Sequence, residues 1–160
     1  MPVDYKKYAI VPYKLADFES VKVFLTNLDP WKSAGFDDAY YQSVLDSSQY
    51  SIRVIELESQ VVGLVTWRCL NNFPYGGYVR TLAVKDDRRG QGVGTALLRE
   101  AEDAIFEEYK NSFLCVDEDN AGGRSFYTSN GYKEIGVMKD YLQKGDSFIM
   151  LRKSTGPLFD

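Results

Sequence analysis

The pattern of apolar and polar positions predicts a chain that mixes helices with strands. The clearest helix is predicted over Thr95–Tyr109, where apolar residues recur at helical spacing and charged residues occupy the opposite face. The same spacing predicts helices over Ala16–Leu28 and Asn120–Asn130, and a weaker one over Asp37–Leu45. Gly131 suits a left-handed cap at the end of the last helix in the chain.

Seven strand-like runs alternate with these helices. They cover Tyr8–Tyr13, Ser51–Glu58, Val61–Leu70, Tyr78–Lys85, Ser112–Val116, Tyr132–Met138 and Ser147–Arg152. A tight turn near Ser59 and Gln60 joins the second and third runs into a hairpin. The chain of 160 residues is long enough for one domain, which we place at residues 1–153, followed by a flexible tail at residues 154–160.

The most specific segment lies between the strand at residues 78–85 and the helix that starts at Thr95. It reads Arg89-Gly90-Gln91-Gly92-Val93-Gly94. Three glycines at alternate positions let backbone N–H groups converge, since no Cβ blocks the approach of a ligand. The helix that follows adds unpaired N–H groups and the positive end of its dipole. This arrangement predicts a cradle for a phosphate or pyrophosphate, with Arg88 and Arg89 supplying positive charge beside it.

Spacing excludes two other phosphate-binding loops. A P-loop needs Gly-Lys followed by Ser or Thr, and no such triplet occurs in the chain. A dinucleotide fingerprint needs a third glycine at a position where this chain has Thr95 or Leu97. The remaining alternatives are an unrelated nucleotide-binding domain and a plain glycine-rich connector before a helix.

Composition narrows the possible chemistry. The net charge of −4 argues against a general nucleic-acid surface, and we expect no membrane association because no apolar run approaches the length of a membrane span. The absence of histidine excludes Ser-His-Asp and Cys-His catalysis and removes the commonest metal ligand, so we expect no metal. Cys69 and Cys115 fall in strand-like runs, which predicts two buried thiols in a reducing cytoplasm.

Two blocks of sequence carry a family resemblance. The first is Arg-x-x-Gly-x-Gly after a Leu-x-Val strand, formed here by Leu82, Val84, Arg89, Gly92 and Gly94. The second consists of Asn120, Gly123, Tyr127, Gly131 and Tyr132. Together the blocks resemble the GNAT superfamily of N-acetyltransferases, whose second block reads Asn-x-x-Ala-x-x-x-Tyr-x-x-x-Gly-Phe. This chain therefore replaces the alanine by glycine and the phenylalanine by tyrosine, and the resemblance covers residues 79–132.

The resemblance implies an α/β fold with a single domain. Its central sheet is mixed and mostly antiparallel, with about seven strands, helices on both faces and a parallel, splayed strand pair. The cosubstrate implied is acetyl-CoA, whose pantetheine arm lies in the splay between residues 78–85 and 112–117. The cofactor-binding residues implied are Leu82, Ala83, Val84, Arg89, Gly90, Gln91, Gly92, Val93, Gly94, Thr95 and Asn120. Asn120 is equally well explained as an ordinary N-cap.

The resemblance also implies that Tyr127 is the catalytic residue, a phenol that protonates or hydrogen-bonds the departing CoA thiolate. Without the second block, a half-buried packing tyrosine would be the simpler interpretation. No general base is assigned, because many relatives carry a glutamate on the strand where this chain has Tyr78 and Arg80. Asp117, Glu118 and a water relay from Tyr78 all stay open for that role.

The reaction implied is direct attack of an amine on acetyl-CoA, in a cytoplasmic monomer or homodimer. The alternative is a non-catalytic acyl-CoA-binding or regulatory module, which the missing carboxylate base favours. The acceptor pocket would be walled by residues 29–41, residues 71–78 and the loop near Tyr141. These segments are rich in aromatic residues, namely Trp31, Tyr40, Phe73, Tyr75 and Tyr141. Asp37 and Asp38 would attract an ammonium group there, or serve as ordinary surface charges.

Overall fold

A computed structural model describes residues 5–159 of the chain. The strands are β1 (Ile10–Pro12), β2 (Ser51–Leu57), β3 (Gln60–Leu70), β4 (Gly76–Val84), β5 (Asn111–Asp117), β6 (Lys133–Lys139) and β7 (Ser147–Ser154). The helices are α1 (Phe18–Thr26), α2 (Trp31–Ala34), α3 (Asp38–Val44), α4 (Val93–Glu108) and α5 (Ala121–Ser129). Each predicted strand and helix therefore has a counterpart, with ends that differ by a few residues.

The strands form one seven-stranded sheet in the order β1-β2-β3-β4-β5-β7-β6. The β4–β5 ladder is parallel, whereas the β1–β2, β2–β3, β5–β7 and β6–β7 ladders are antiparallel. This arrangement confirms the mixed, mostly antiparallel sheet with one parallel pair.

The β2–β3 hairpin closes through a two-residue turn. Leu57 pairs with Gln60, and the intervening Glu58 and Ser59 have φ angles of 53° and 62°. Two successive positive φ angles define a type I′ turn, whose twist matches that of the strands it joins. The turn is one residue earlier than predicted, because Gln60 already belongs to β3.

Two helical segments differ from the prediction. Helix α4 begins at Val93 rather than Thr95, because the Ala96 N–H bonds to the Gly92 carbonyl at 2.9 Å and closes the first turn there. The short helix α2 was not predicted. It ends at Gly35, which has a φ of 61° and donates its N–H to the Trp31 carbonyl at 3.2 Å.

Contacts divide the chain into two compact units. The first unit contains the chain up to Arg68 together with Arg80–Glu102, and the second contains Cys69–Val79 together with the chain from Asp103 onward. The first unit buries one apolar cluster contributed by α1, α3 and the strands. Its buried members are Tyr13, Val21, Phe24, Leu25, Leu28, Tyr41, Val44, Leu45, Ile52, Val54, Leu64 and Ala83.

The second unit is built around β5 and β7, which pair along seven residues of β5. Its buried apolar residues include Phe113, Leu114, Val116, Ile149 and Leu151. The Tyr132 ring is also buried, and its hydroxyl lies 2.7 Å from the Ser112 hydroxyl. A hydrogen-bond partner inside the core explains how a tyrosine is accommodated where the family has phenylalanine.

The expectation of two buried thiols was wrong. Cys69 is exposed, because the last three residues of β3 run out of the buried part of that strand. Cys115 is only partly buried, and it is the one partly buried position among the first six residues of β5. No helix within residues 5–159 is both long and apolar enough to cross a membrane.

Candidate active site

The candidate site begins on β4, whose side chains alternate between two faces. Val79, Thr81 and Ala83 are buried, whereas Arg80, Leu82 and Val84 are half-buried on the other face. The parallel ladder with β5 comprises Gly77–Val79 and stops there, so Leu82 and Val84 lie beyond its end. The sequence predicted that backbone groups of these two residues bind an extended ligand.

The loop after β4 has the backbone conformation that alternating glycines predict. A 3₁₀ turn over Asp86–Arg88 leads into Gly90 and Gly92, whose φ angles are 71° and 90°. Residues other than glycine adopt such φ angles only at a cost in free energy. A Cβ on Gly90 would meet nothing within 4 Å, so glycine is needed there for conformation and not for space.

Helix α4 presents its N-terminal N–H groups directly after this loop. The first intrahelical bond is made by Ala96, so the N–H groups of Val93, Gly94 and Thr95 have no acceptor within the helix. The 16-residue helix adds the positive end of its dipole at the same place. The end of the loop is therefore a set of converging donors, which is what a pyrophosphate requires.

Charged side chains flank this set of donors. The Arg88 Nε is buried and has no hydrogen-bond partner among residues 5–159. Arg89 is partly engaged, since its Nη2 lies 3.0 Å from Asp86 Oδ1 and its Nε lies 3.5 Å from the Val84 carbonyl. The Tyr8 hydroxyl donates to the Gln91 carbonyl at 2.8 Å and holds the loop. Arg88 therefore keeps an unsatisfied donor, whereas Arg89 is engaged within the loop.

Asn120, in the second unit, caps α5. Its Oδ1 accepts the Gly123 N–H at 2.8 Å. A Cβ on Gly123 would lie 2.7 Å from Asn120 Nδ2 and 3.0 Å from Val116 Cγ2. A methyl group at position 123 would therefore require the capping side chain to shift, which glycine avoids. The cap itself is observed, and a contact from Asn120 to the cofactor stays a prediction.

Tyr127 lies on α5 within an aromatic group of the second unit. Its ring is half-buried and packs edge-on against Phe126 and Tyr132, with centroid distances of 5.2 and 5.9 Å. Burial raises the pKa of the Tyr127 phenol above its usual range. Its hydroxyl makes no hydrogen bond to another residue within the described part of the chain. Tyr127 therefore keeps its proton at neutral pH and has it available to a ligand.

Two further titratable groups of the second unit, the Cys115 thiol and the Asp117 carboxyl, have shifted pKa values. Burial raises the pKa of the Cys115 thiol, and a hydrogen bond with Tyr78 offsets part of that rise. Asp117 is exposed as a residue, yet partial burial of its carboxyl raises the pKa, and the neighbouring Asp146 and Asp119 add to this shift. A carboxyl with a raised pKa is a better proton acceptor near neutral pH than an ordinary one.

The acidic residues expected to attract an ammonium group are already engaged. Asp37 caps α3 by accepting the Tyr40 N–H at 3.0 Å, and Asp38 lies 2.7 Å from Lys22 Nζ. Some of the predicted aromatic residues are open to solvent, such as Phe73 and Tyr141 at 88% and 64% exposure. No sequence pattern singles out Tyr50 or Arg68, which lie beside Arg80.

Comparison with known proteins identifies the class. The sequence profile of the acetyltransferase (GNAT) family matches residues 16–132, which is well over half of the chain. The chain therefore belongs to the GNAT family of acetyltransferases, as the two sequence blocks had suggested.

Individual relatives are consistent with that assignment. The chain is 32% identical over 112 residues to an uncharacterized N-acetyltransferase of Methanocaldococcus jannaschii, covering 66% of this chain and 69% of the relative. It is 30% identical over 125 residues to the N-alpha-acetyltransferase of Sulfurisphaera tokodaii, covering 69% and 75%. The fold is similar to that of an aminoglycoside 6′-N-acetyltransferase complexed with coenzyme A, with a TM-score of 0.78, 16% identity and coverage of 95% and 99%.

Proposed function

We propose that this protein transfers an acetyl group from acetyl-CoA to an amine. The observation that carries the proposal is the glycine loop with positive φ angles at Gly90 and Gly92, followed by the free N–H groups at the start of α4. This loop has the donors that a pyrophosphate requires, and membership of the acetyltransferase (GNAT) family supports assigning that pyrophosphate to coenzyme A.

The cosubstrate would be held by groups of known type. The N–H groups of Val93, Gly94 and Thr95 bind the pyrophosphate, and the unpartnered Arg88 Nε adds a positive charge. The backbone of Leu82–Val84 lies beyond the end of the parallel ladder and pairs with the amide groups of the pantetheine arm. Bound in this way, acetyl-CoA presents its thioester as an activated acetyl donor.

The transfer itself needs no covalent enzyme intermediate. A neutral amine attacks the thioester carbonyl, a C–N bond forms, the C–S bond breaks, and the amine nitrogen loses one proton. The coenzyme A thiolate leaves and takes a proton, which Tyr127 supplies or stabilises through its hydroxyl. Burial supports this role, because it keeps the Tyr127 phenol protonated over the whole neutral range.

The proton lost by the amine passes to a base. Asp117 supports such a role through its raised pKa, and a water relay from Tyr78 is the alternative. Neither is a carboxylate on β4, which is where many relatives carry their base. That departure favours the second candidate function, an acyl-CoA-binding or regulatory module without turnover.

The two functions are separated by one paired measurement. Calorimetry measures binding of acetyl-CoA and of CoA, while release of free thiol from acetyl-CoA is followed with a panel of amines. The panel contains peptides with free N-termini, lysine peptides, aminoglycosides and small polyamines. Binding with thiol release and a matching mass gain on one amine supports the transferase. Binding without turnover of any amine supports the regulatory module, and absence of binding overturns both.

A further inference from the structure

Two arginines of the first unit lie against one tyrosine ring. The guanidinium carbon of Arg80 is 5.0 Å from the centroid of the Tyr50 ring, and that of Arg68 is 5.9 Å from the same centroid. Arg68 is on β3, Arg80 is on β4, and all three side chains are half-buried. Neither guanidinium forms an ion pair with a carboxylate within residues 5–159.

Most hydrogen-bonding capacity of this pair is unused. Arg80 donates from Nη1 to the Ser43 carbonyl at 3.0 Å and from Nη2 to the Ser43 hydroxyl at 3.2 Å. Arg68 donates no hydrogen bond to another described residue. Since a guanidinium carries five N–H donors in a planar fork, both arginines keep donors for a bidentate anion.

The unpaired arginines stand out against the acidic residues of the same unit. The net charge of the chain is −4, so carboxylates outnumber cations overall. Yet the acids of the adjoining segment are engaged locally. Asp29 accepts from Ser33, Asp37 caps α3, Asp38 pairs with Lys22, and Asp46 accepts from Ser48. The sequence predicted that Asp37 and Asp38 would attract an ammonium group, whereas Asp38 is paired with Lys22, and the two arginines have no carboxylate partner among residues 5–159.

Arg80 also shares a face of β4 with the residues proposed to bind acetyl-CoA. Side chains along this strand alternate, so Arg80 lies on the same side as Leu82 and Val84 and precedes Leu82 by two residues. A ligand bound along the backbone of Leu82–Val84 would therefore end next to the guanidinium of Arg80. Many relatives carry a negatively charged glutamate near this position, which would favour an acceptor with a positive charge there.

We propose that Arg80 and Arg68, stacked on Tyr50, bind a carboxylate of the acceptor. The acceptor is then an amine that carries a carboxylate close to the reacting nitrogen. This inference rests on the proposed transferase function and adds the substrate class to it. The chemistry fits two sources, a peptide N-terminus with an acidic residue next to it and a free acidic amino acid.

A purely structural role is the competing explanation for Arg80. Its two hydrogen bonds to Ser43 lie near the C-terminal end of α3, where the free carbonyl groups of the helix stabilise a positive charge. That explanation does not extend to Arg68, which has no such bonds. The two arginines therefore give two independent variants, one of which leaves the contact with α3 intact.

The test compares matched peptides that differ only in the second residue, Glu, Gln or Lys, alongside free glutamate and glutamine. Their binding is measured by calorimetry in the presence of CoA, which carries no acetyl group and allows no turnover. We expect the Glu peptide to bind wild-type protein about tenfold more tightly than the Gln peptide, and the Lys peptide most weakly. In Arg80→Gln and in Arg68→Gln the preference for Glu over Gln should fall to about twofold or less.

Arg53→Gln is the matched control. Arg53 also lies over an aromatic ring, at 5.6 Å from the Trp67 centroid, but it is paired with Glu100 at 3.3 Å. This variant should keep the preference for the Glu peptide. Preference for free glutamate over the peptide would identify the small amino acid as the source of the carboxylate.

The outcomes separate this inference from the transferase function. Equal binding of Glu and Gln ligands, or a preference that survives both arginine substitutions, overturns the inference even if acetyl transfer to another amine is found. A preference that disappears only in the arginine variants supports it. Failure of every bound amine to release thiol from acetyl-CoA would instead overturn the transferase function.

Discussion

The two units of this molecule differ in the kind of group that each offers to a ligand. The first unit offers backbone N–H groups, brought together by Gly90 and Gly92 and by the start of α4. The second offers side chains, of which the Tyr127 hydroxyl is the clearest. A backbone site depends on conformation, whereas a side-chain site depends on the surroundings of each group. Substitutions in the backbone site should therefore change ligand affinity, whereas substitution of the Tyr127 hydroxyl should change kcat.

Glycine has a different purpose in each unit. Gly92 permits a φ of 90° in a loop whose N–H groups face outward to a ligand. Gly123 lies within α5 and leaves room for Asn120 and Val116. Under the proposed function the first glycine serves binding, whereas the second serves the packing of a helix cap. Substitutions can test this distinction directly.

The largest effect is expected from Tyr127→Phe. Removing the hydroxyl keeps the ring packed against Phe126 and Tyr132, so the fold and acetyl-CoA affinity should be retained. Loss of general-acid assistance should lower kcat by about 10² to 10⁴. Steady-state kinetics on an accepted amine, with calorimetry for acetyl-CoA, makes the measurement.

Tyr132→Phe is the control for this change. The Tyr132 hydroxyl is buried against Ser112, so its removal should cost stability and leave kcat within about twofold of wild type. If Tyr127→Phe keeps the wild-type kcat while acetyl transfer limits the rate, Tyr127 is a packing residue and the acid lies elsewhere.

A smaller effect on activity, through ligand binding, is expected from Gly92→Val in the first unit. A branched side chain disfavours a φ of 90° and occupies the space that a pyrophosphate needs. The affinity for CoA should fall at least about tenfold, or 1.4 kcal/mol, as measured by calorimetry.

Gly35→Val provides the control for strain. Gly35 also has a positive φ, 61°, and a Cβ there meets nothing within 4 Å, so this variant carries the conformational cost alone. It should destabilise the fold without changing CoA affinity. An equal loss of affinity in both variants would show that the loop at Gly92 is only a connector.

The same contrast explains what the sequence could predict. Strands, helices and the glycine loop follow from residue periodicity and from the conformational freedom of glycine, which are local properties. Helix α4, the β2–β3 hairpin and the cap at Asn120 were all predicted from such signals. The missed helix α2 has only four residues, too few for a periodic pattern to show.

Side-chain partnerships were not predictable in this way. Nothing local places Tyr132 against Ser112, Cys115 beside Tyr78, or two arginines on the Tyr50 ring. Each pairing depends on strand register between segments far apart in the chain. The ion pair between Asp38 and Lys22 was missed for a similar reason, since it depends on how α1 and α3 pack.

A moderate effect on stability should separate two adjacent glycines of α5. Gly123→Ala places a Cβ 2.7 Å from Asn120 Nδ2, which forces the capping side chain away and should lower the free energy of unfolding by about 1 kcal/mol. Gly122→Ala meets only Asn120 Oδ1, at 3.9 Å, and should raise it by about 0.5 to 1 kcal/mol through better helix propensity. Urea denaturation of both variants makes the comparison.

This pair sharpens the distinction between the glycines of the two units. If Gly123 serves only the helix cap, Asn120→Ala should remove most of the penalty of Gly123→Ala. Stabilisation by alanine at both positions would mean that the cap tolerates the added methyl group. The helix cap would then give no reason for a glycine at position 123.

The smallest effect is expected from Asp117→Asn, which tests the surroundings of a single side chain. Partial burial and the carboxylates of Asp146 and Asp119 raise the pKa of Asp117 in the folded state. The fold therefore favours the protonated form, and the charged form destabilises it once the pH rises through the folded pKa. At pH 7 the variant should melt about 1 to 2 °C above wild type, and the difference should vanish below about pH 3, where the carboxyl is neutral in both states.

Asp103→Asn, at an exposed position of α4 in the same unit, controls for the loss of one negative charge. A stabilisation by Asp117→Asn that grows as the pH falls would have the wrong sign and would contradict the raised pKa. Asp117→Asn also tests whether this carboxyl is the base. If the variant raises the melting temperature and lowers kcat, the burial that destabilises the charged carboxyl also raises its pKa for proton transfer. The protein would then give up stability at this position in exchange for activity. If kcat is unchanged, Glu118 and a water relay from Tyr78 are left as the base candidates of the second unit.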